Sequence, residues 1–347
     1  MTTRCVCYVA VGDNYINRLH YSISSLRAVW SGKVVVITDY ITPILTRLST
    51  TYDLHVLQFA VSDNFSWQPT AAYTWSPNST QGLRARVLKT QVMALCPYEQ
   101  VLFLDVDTLI LKPLDSLWQL LTSDTDIVIG PAQFHSSIAD ARDMRLFRIG
   151  DSRFRADWAL SASIAGTGFP FYSSSTMLWR SSATTLALAN AWYVEWQRYQ
   201  QSDMLPLARA LATVKPAITQ LPAKYNVRYR YRQSTVIYTT RIERMARDYK
   251  KFVANKTIKA PIREITVSNA ASSDSRLQQS LADKFERAKG LRVLAPTIAS
   301  SRLHTFSKIN MLTPLSVLIR TRRKHRRHAG LTQTSLMQLR AQLLRKR

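Results

Sequence analysis

The sequence predicts an α/β protein built on a mainly parallel sheet, and three observations lead there. Short β-rich runs alternate with helical patterns from the start, which is the rhythm of βαβ units. At 347 residues and 46% hydrophobic content, the chain is long and apolar enough to bury a full core. An apolar run at 101–104 delivers two aspartates one residue apart, Asp105 and Asp107. Open α/β sheets build their ligand sites outside the carboxyl ends of the strands, so such a pair falls where a site is expected.

Residues 5–11 form an apolar run stopped by Gly12 and Asp13, which reads as a strand and not a secretory leader. A helix is expected over 15–29, a strand over 33–38, a helix after Pro43 and a strand over 54–59. Residues 61–81 are polar and aromatic with two prolines, the composition of a loop. A helix over 83–95 then feeds the strand at Val101, and 126–130 read as another strand. Residues 131–170 are expected to be irregular, the kind of region that carries binding insertions. Over 181–200, Leu186, Ala189, Trp192, Trp196 and Tyr199 recur at helical spacing, the mark of a core-packing helix. Residues 266–275 resemble a linker and 276–289 a further helix, with no internal repeat. The expected organisation is one domain over 1–312 and a separate tail over 313–347.

The formal charge is +25, and ten of the 47 Lys and Arg lie from Arg320 onward with no acid among them. The remaining 37 cations face 22 carboxylates, so the body of the protein is itself at +15. Such a field favours anionic partners. In the tail, the block at 321–328 precedes Leu336, Leu339 and Leu343, a basic amphipathic pattern suited to an anionic membrane surface. Residues 225–232 interleave Arg228, Arg230 and Arg232 with Tyr229 and Tyr231; if extended, the two sets face opposite ways and resemble a stacking platform for nucleic acid. No nucleic-acid fold motif accompanies them, which argues against nucleic acid as a partner. Three cysteines, Cys5, Cys7 and Cys96, imply neither a disulfide framework nor a zinc site and suit a reducing cytoplasm. The expected location is cytoplasmic, peripheral at the membrane.

Two carboxylates at i and i+2 supply hard oxygen ligands for Mn²⁺ or Mg²⁺ while leaving positions open for phosphate oxygens. Read with its neighbours, the stretch 85–121 resembles glycosyltransferase family 8, the glycogenin-like retaining enzymes with a GT-A fold. The resemblance rests on Arg86 and Lys89, then Pro97 and Tyr98, then Asp105 and Asp107, then Pro113 and Leu114, in this order. It extends to 6–27, with a nucleotide-binding loop at Gly12 to Tyr15, to 202–211 at Asp203, and to LPAKYNVR at 221–228. The chain departs from the family at Ser173, Ser174 and Ser175, where Asn-Ser-Gly is usual, and at Met204, where Gln follows the Asp. RLHTFSK at 302–308 matches the closing His motif without its Gly and Pro-Trp.

The resemblance implies a GT-A catalytic domain that transfers a sugar from a nucleotide diphosphate donor, UDP-linked, to a glycan, lipid-linked or protein acceptor with retention of configuration. Asp105, Asp107 and His304 would hold Mn²⁺ or Mg²⁺. Tyr15, Arg86, Asp105 and Lys308 would bind the donor, and Asp203 and Lys89 would act in catalysis. The alternative is a catalytically weak protein of the same fold that binds nucleic acid or an anionic membrane.

Overall fold

The computed structural model describes residues 3–62, 65, 80–144, 147, 150–228, 231–240, 244–255, 257 and 258. His304, Lys308 and the tail over 313–347 therefore lie outside the described residues. Seven strands form the main sheet: β1 (Arg4–Val9), β2 (Lys33–Thr38), β3 (Leu54–Gln58), β4 (Gln100–Leu104), β6 (Ile127–Pro131), β7 (Tyr172–Arg180) and β8 (Ile218–Gln220), in the order β3-β2-β1-β4-β7-β6-β8. β1, β2, β3 and β4 run parallel, as do β6 and β8, while β7 is antiparallel to both of its neighbours. A smaller sheet joins β5 (Thr108–Ile110), β9 (Val227–Arg228) and β10 (Ile237–Thr239) in the order β5-β10-β9.

Central strands of a parallel sheet are covered on both faces, so they read as continuous apolar runs. Successive side chains then go to opposite layers. Cys5, Cys7, Val101, Phe103, Met177 and Trp179 join one apolar layer, and Val6, Tyr8, Leu102, Leu104 and Leu178 the other. The second layer is closed by α1 (Asp13–Arg27) and α2 (Pro43–Tyr52) through Ile16, Leu19, Ile23, Leu45 and Leu48. α2 starts where its sequence says it should: Thr42 accepts the Leu45 amide at 3.2 Å and Pro43 fills the first turn.

The first layer is closed by α3 (Thr80–Thr90), α4 (Val92–Leu95), α7 (Ala183–Gln197) and α8 (Met204–Val214). The single helix expected over 83–95 is thus two, separated at Gln91. Between β5 and β6 lies the short helix α5 (Asp115–Trp118). The region 131–170 is not irregular throughout. It contains the fourteen-residue α6 (Ser152–Ala165), capped by Asp151 accepting the Phe154 amide at 2.7 Å. Helix α9 (Met245–Ala254) packs Met245 and Phe252 against Leu109 and Tyr238 of the small sheet. Of the described residues within 225–232, Val227 and Arg228 are strand; Tyr229 and Arg230, at the centre of the tyrosine–arginine stretch, lie outside the described residues.

The helices α6, α7 and α8 share a buried cation. Arg209 of α8 is fully buried; its Nη1 lies 2.5 Å from Asp157 Oδ1 and donates to Ser161 Oγ, both on α6. Its Nε is 2.7 Å from Glu195 Oε2 on α7, and its Nη2 donates to the Glu195 carbonyl at 3.0 Å. Burial pushes the Asp157 carboxyl up to about 6 against the pull of Arg209. Removing one partner from such a pair strands the other charge. Arg209→Ala is therefore expected to lower the unfolding free energy by about 3–5 kcal/mol. Arg198→Ala, which removes the part-exposed second partner of Glu195, should cost about 1 kcal/mol or less. Urea denaturation of the two variants distinguishes these outcomes.

Candidate functional site

The chain steps outward from β1 through β2 to β3 and then returns to the other side of β1 with β4. That reversal sets the carboxyl ends of β1 and β4 side by side, the place where such sheets bind ligands. Both strands end in the segments that the sequence singled out. Past β1, Gly12 adopts φ 74°, a conformation that favours glycine; a Cβ there would fall 2.6 Å from the far end of the Gln81 side chain, which would have to move aside. The Gly12 carbonyl accepts the Tyr15 and Ile16 amides at 3.1 Å and starts α1, which leaves Tyr15 half-buried in its first turn.

Past β4, the aspartates are fixed by backbone bonds to two different sheets. The Asp105 amide donates to the Ser175 carbonyl of β7 at 2.9 Å, and the Asp105 carbonyl accepts the Thr108 hydroxyl at 2.7 Å. The Asp107 carbonyl accepts the Thr240 amide at 2.9 Å, next to β10. The register of β10 with β9 sets Thr239 beside Arg228, which brings that guanidinium into the field of Asp107.

Lys89 completes the centre from α3. Its ammonium lies 2.7 Å from Asp105 Oδ1 and 2.9 Å from Asp203 Oδ2, bridging the end of β4 to the start of α8. Asp203 occupies the N-cap position of α8 but makes no side-chain cap bond. Its carboxylate instead accepts the Ser174 hydroxyl at 2.7 Å in addition to Lys89, while its carbonyl accepts the Trp192 indole N–H at 2.7 Å. Burial alone would raise the Asp203 pKa; the charges of Lys89 and Arg86 and the bonds from Lys89 and Ser174 outweigh it and hold the group well below the ordinary carboxylate range. Lys89 mirrors this, since burial pulls it down and the two carboxylates raise it. Arg86, one turn before Lys89, is desolvated by burial and feels Asp203, Tyr15 and Asp105.

Asp107 is different. Burial, followed by the neighbouring Asp105, raises it to about 6 despite Arg228 and Lys89. Its Oδ1 is buried without a hydrogen-bond partner, as is Arg228 Nε. Among the described residues no group of three or more His, Cys, Asp and Glu is arranged to hold a metal ion. Two adjacent carboxylates, one with an unsatisfied buried oxygen, nevertheless fit a hard divalent cation by donor chemistry.

Tyr15, Arg86, Lys89, Asp105, Asp107 and Asp203 are thus brought to one end of the sheet, while His304 and Lys308 fall outside the described residues. Sequence reasoning missed the serines as a working part. Ser174 holds Asp203, and Ser173 and Ser175 pair at 2.8 Å, with Ser175 donating to Asn226 at 3.1 Å. The signal was present: four successive hydroxyls, Ser173 to Thr176, occupy buried positions of a strand whose remaining buried residues are apolar, and buried hydroxyls need partners.

Lys89→Met should move the Asp203 titration upward, into or above the ordinary carboxylate range, in carboxyl-carbon NMR, whereas Lys112→Met should not. Because Asp203 is depressed in the folded protein, its stabilisation is present above the ordinary carboxylate value of 3.8 and lost as the pH falls below it. The variant should accordingly be destabilised more at neutral pH than under acid.

No protein-family model matches this chain, and no curated protein sequence does. Among solved structures, the chain is similar to mouse xyloside xylosyltransferase 1 in its apo form, at 10% identity and TM-score 0.45, over 69% of this chain and 97% of that one. It is also similar to the galactosyltransferase LgtC in complex with donor and acceptor sugar analogues, at 14% identity and TM-score 0.46, over 76% of this chain and 98% of that one. A third similarity is to the glycosyltransferase GlyE of Streptococcus pneumoniae, at 11% identity and TM-score 0.41, over 84% of this chain and 64% of that one.

Proposed function

We propose that the protein is a GT-A glycosyltransferase of the family 8 type, which moves a sugar from a UDP-linked donor to a glycan, lipid-linked or protein acceptor with retention of configuration. The observation that carries this reading is the Lys89 bridge between Asp105 and Asp203 at the mouth of the strand-order reversal, beside the unsatisfied Asp107 oxygen. A nucleotide diphosphate needs cations at the leaving group and an anion near the sugar, and the cluster holds both.

In this proposal Tyr15 stacks on the uracil. Arg86 and Lys89 add positive charge where the departing diphosphate gains negative charge, a stabilisation that strengthens as the bond breaks. Asp203, kept ionised by Lys89 and Ser174, faces the sugar and opposes the positive charge of an oxocarbenium-like state. Asp105 and Asp107, with His304 as third ligand, would hold Mn²⁺ or Mg²⁺, which supplies Lewis-acid neutralisation of the diphosphate when bound. Lys308 would meet the same diphosphate.

Among the described residues no helix is long and apolar enough to cross a membrane. We further propose that the enzyme works in the cytoplasm and that its basic tail rests on an anionic membrane surface. A polybasic segment gains on the order of 1 kcal/mol per cation there.

Calorimetry should find UDP binding that requires Mn²⁺ or Mg²⁺ and disappears in chelator, and Asp105→Asn and Asp107→Asn should each abolish the metal effect; equal affinity in chelator and in Mn²⁺ would refute the reading. Deleting residues 321–347 should abolish co-sedimentation with acidic liposomes at low salt while leaving donor hydrolysis intact, and high salt should mimic the deletion.

A further inference from the structure

β7 is antiparallel to both β4 and β6, so β6 runs the same way as β4 and the segment that leaves it emerges at the edge of the sheet where Asp105 and Asp107 lie. This segment, residues 132–140, is tied on several sides. The Ala132 amide donates to the Phe171 carbonyl at 2.7 Å, the Phe171 amide to the Ser136 carbonyl at 3.0 Å and the Ile138 amide to the Phe169 carbonyl at 3.0 Å, which pairs it with the stretch entering β7. Asp140 Oδ2 accepts the Ser136 amide and hydroxyl at 2.9 and 2.7 Å and the Ser137 amide at 2.9 Å. Gln133 Oε1 accepts the Arg228 amide at 2.5 Å, which joins the segment to β9.

Phe134 follows Gln133 and is 56% exposed. One exposed apolar side chain is ordinary in itself. This one stands on a segment hydrogen-bonded before and after it, and at a definite place in the order of strands. Along β1-β4-β7-β6, Tyr15 follows β1, Asp105 and Asp107 follow β4, Ser174 of β7 holds Asp203, and Phe134 follows β6. Neighbouring strands are about 4.8 Å apart, so the row spans about 14 Å.

In the proposed sugar transfer, on which the assignment rests, the first three positions take the nucleoside, the diphosphate and the transferred sugar in turn. The fourth is left for the molecule that receives the sugar. A phenyl ring offers no hydrogen bond; it presents a flat face of partial negative charge, which suits the polarised C–H face of a pyranose ring. We propose that Phe134 is the platform on which a pyranose unit of the acceptor stacks, so that it determines specificity for the acceptor and not for the donor.

Saturation-transfer NMR and calorimetry on the full chain, with and without UDP and Mn²⁺, test this. The probes are the methyl β-pyranosides of glucose, galactose, xylose and N-acetylglucosamine. Cyclohexanemethanol serves as a ring without the sugar hydroxyls, and a short serine-containing peptide as the other class of acceptor. At least one pyranoside should bind saturably, and more tightly than either control. Phe134→Ala, at an exposed position, should fold normally and weaken that binding about tenfold, the worth of an aromatic contact, with UDP affinity unchanged. Phe134→Tyr keeps the ring and should preserve binding, as should Ile164→Ala at another exposed apolar residue, on α6. Absence of saturable pyranoside binding under both conditions overturns the proposal. So does undiminished binding in Phe134→Ala, or equal or tighter binding of cyclohexanemethanol or the peptide. Failure of UDP to bind in Mn²⁺ counts against the nucleotide reading alone, because the pyranoside measurements without UDP still decide whether Phe134 holds a sugar.

Discussion

The ammonium of Lys89 is the contact on which the arrangement of the site depends. It lies between two carboxylates that come from opposite parts of the fold, one at the end of β4 and one at the start of α8. Without a cation there, Asp105 and Asp203 would confront each other where solvent is partly excluded, with Arg86 left to offset their repulsion. With it, Asp203 stays ionised and Asp105 is held in place, while Asp107, which lacks such a partner, is pushed toward neutrality. Asp203 and Asp107 therefore differ in electrostatic character because the lysine pairs with the first and not with the second.

The placing of Asp203 is secured at a distance. α8 is pinned to α6 and α7 by the Arg209 pairs, and the Trp192 indole grips the Asp203 carbonyl. A buried ion pair of this kind is weak evidence for stability but fixes how helices stack, because any other packing would strand a charge. The precise reach of a carboxylate into the site thus rests on a charge buried in the helical layer behind it.

Much of the layered fold was legible because sheet strands buried on both faces leave uninterrupted apolar runs, and the aspartate pair was legible because its meaning is local. Lys89 and Arg86 were singled out through the resemblance; in the fold Lys89 pairs with Asp105, and Arg86 lies one turn before it on α3. What escaped notice depends on pairing between distant segments. α6 was hidden because two of its buried positions, Asp157 and Ser161, are polar to meet Arg209, which erases the apolar stripe that a reader looks for. The serines of β7 gained a role only once that strand inserted antiparallel beside β4, and Arg228 only once β9 joined the small sheet.

The small sheet also decides how much of the chain is needed to hold the site. The Asp107 carbonyl is tied to Thr240, β10 pairs with β5 immediately after the aspartates, and the apolar cluster behind them is completed by Met245, Phe252 and Ile258. A fragment ending after β8 would keep the main sheet and both aspartates yet lose the backing of the segment between them. The shortest piece able to present that pair as a fixed unit accordingly runs at least to Ile258, far beyond the strand that carries it.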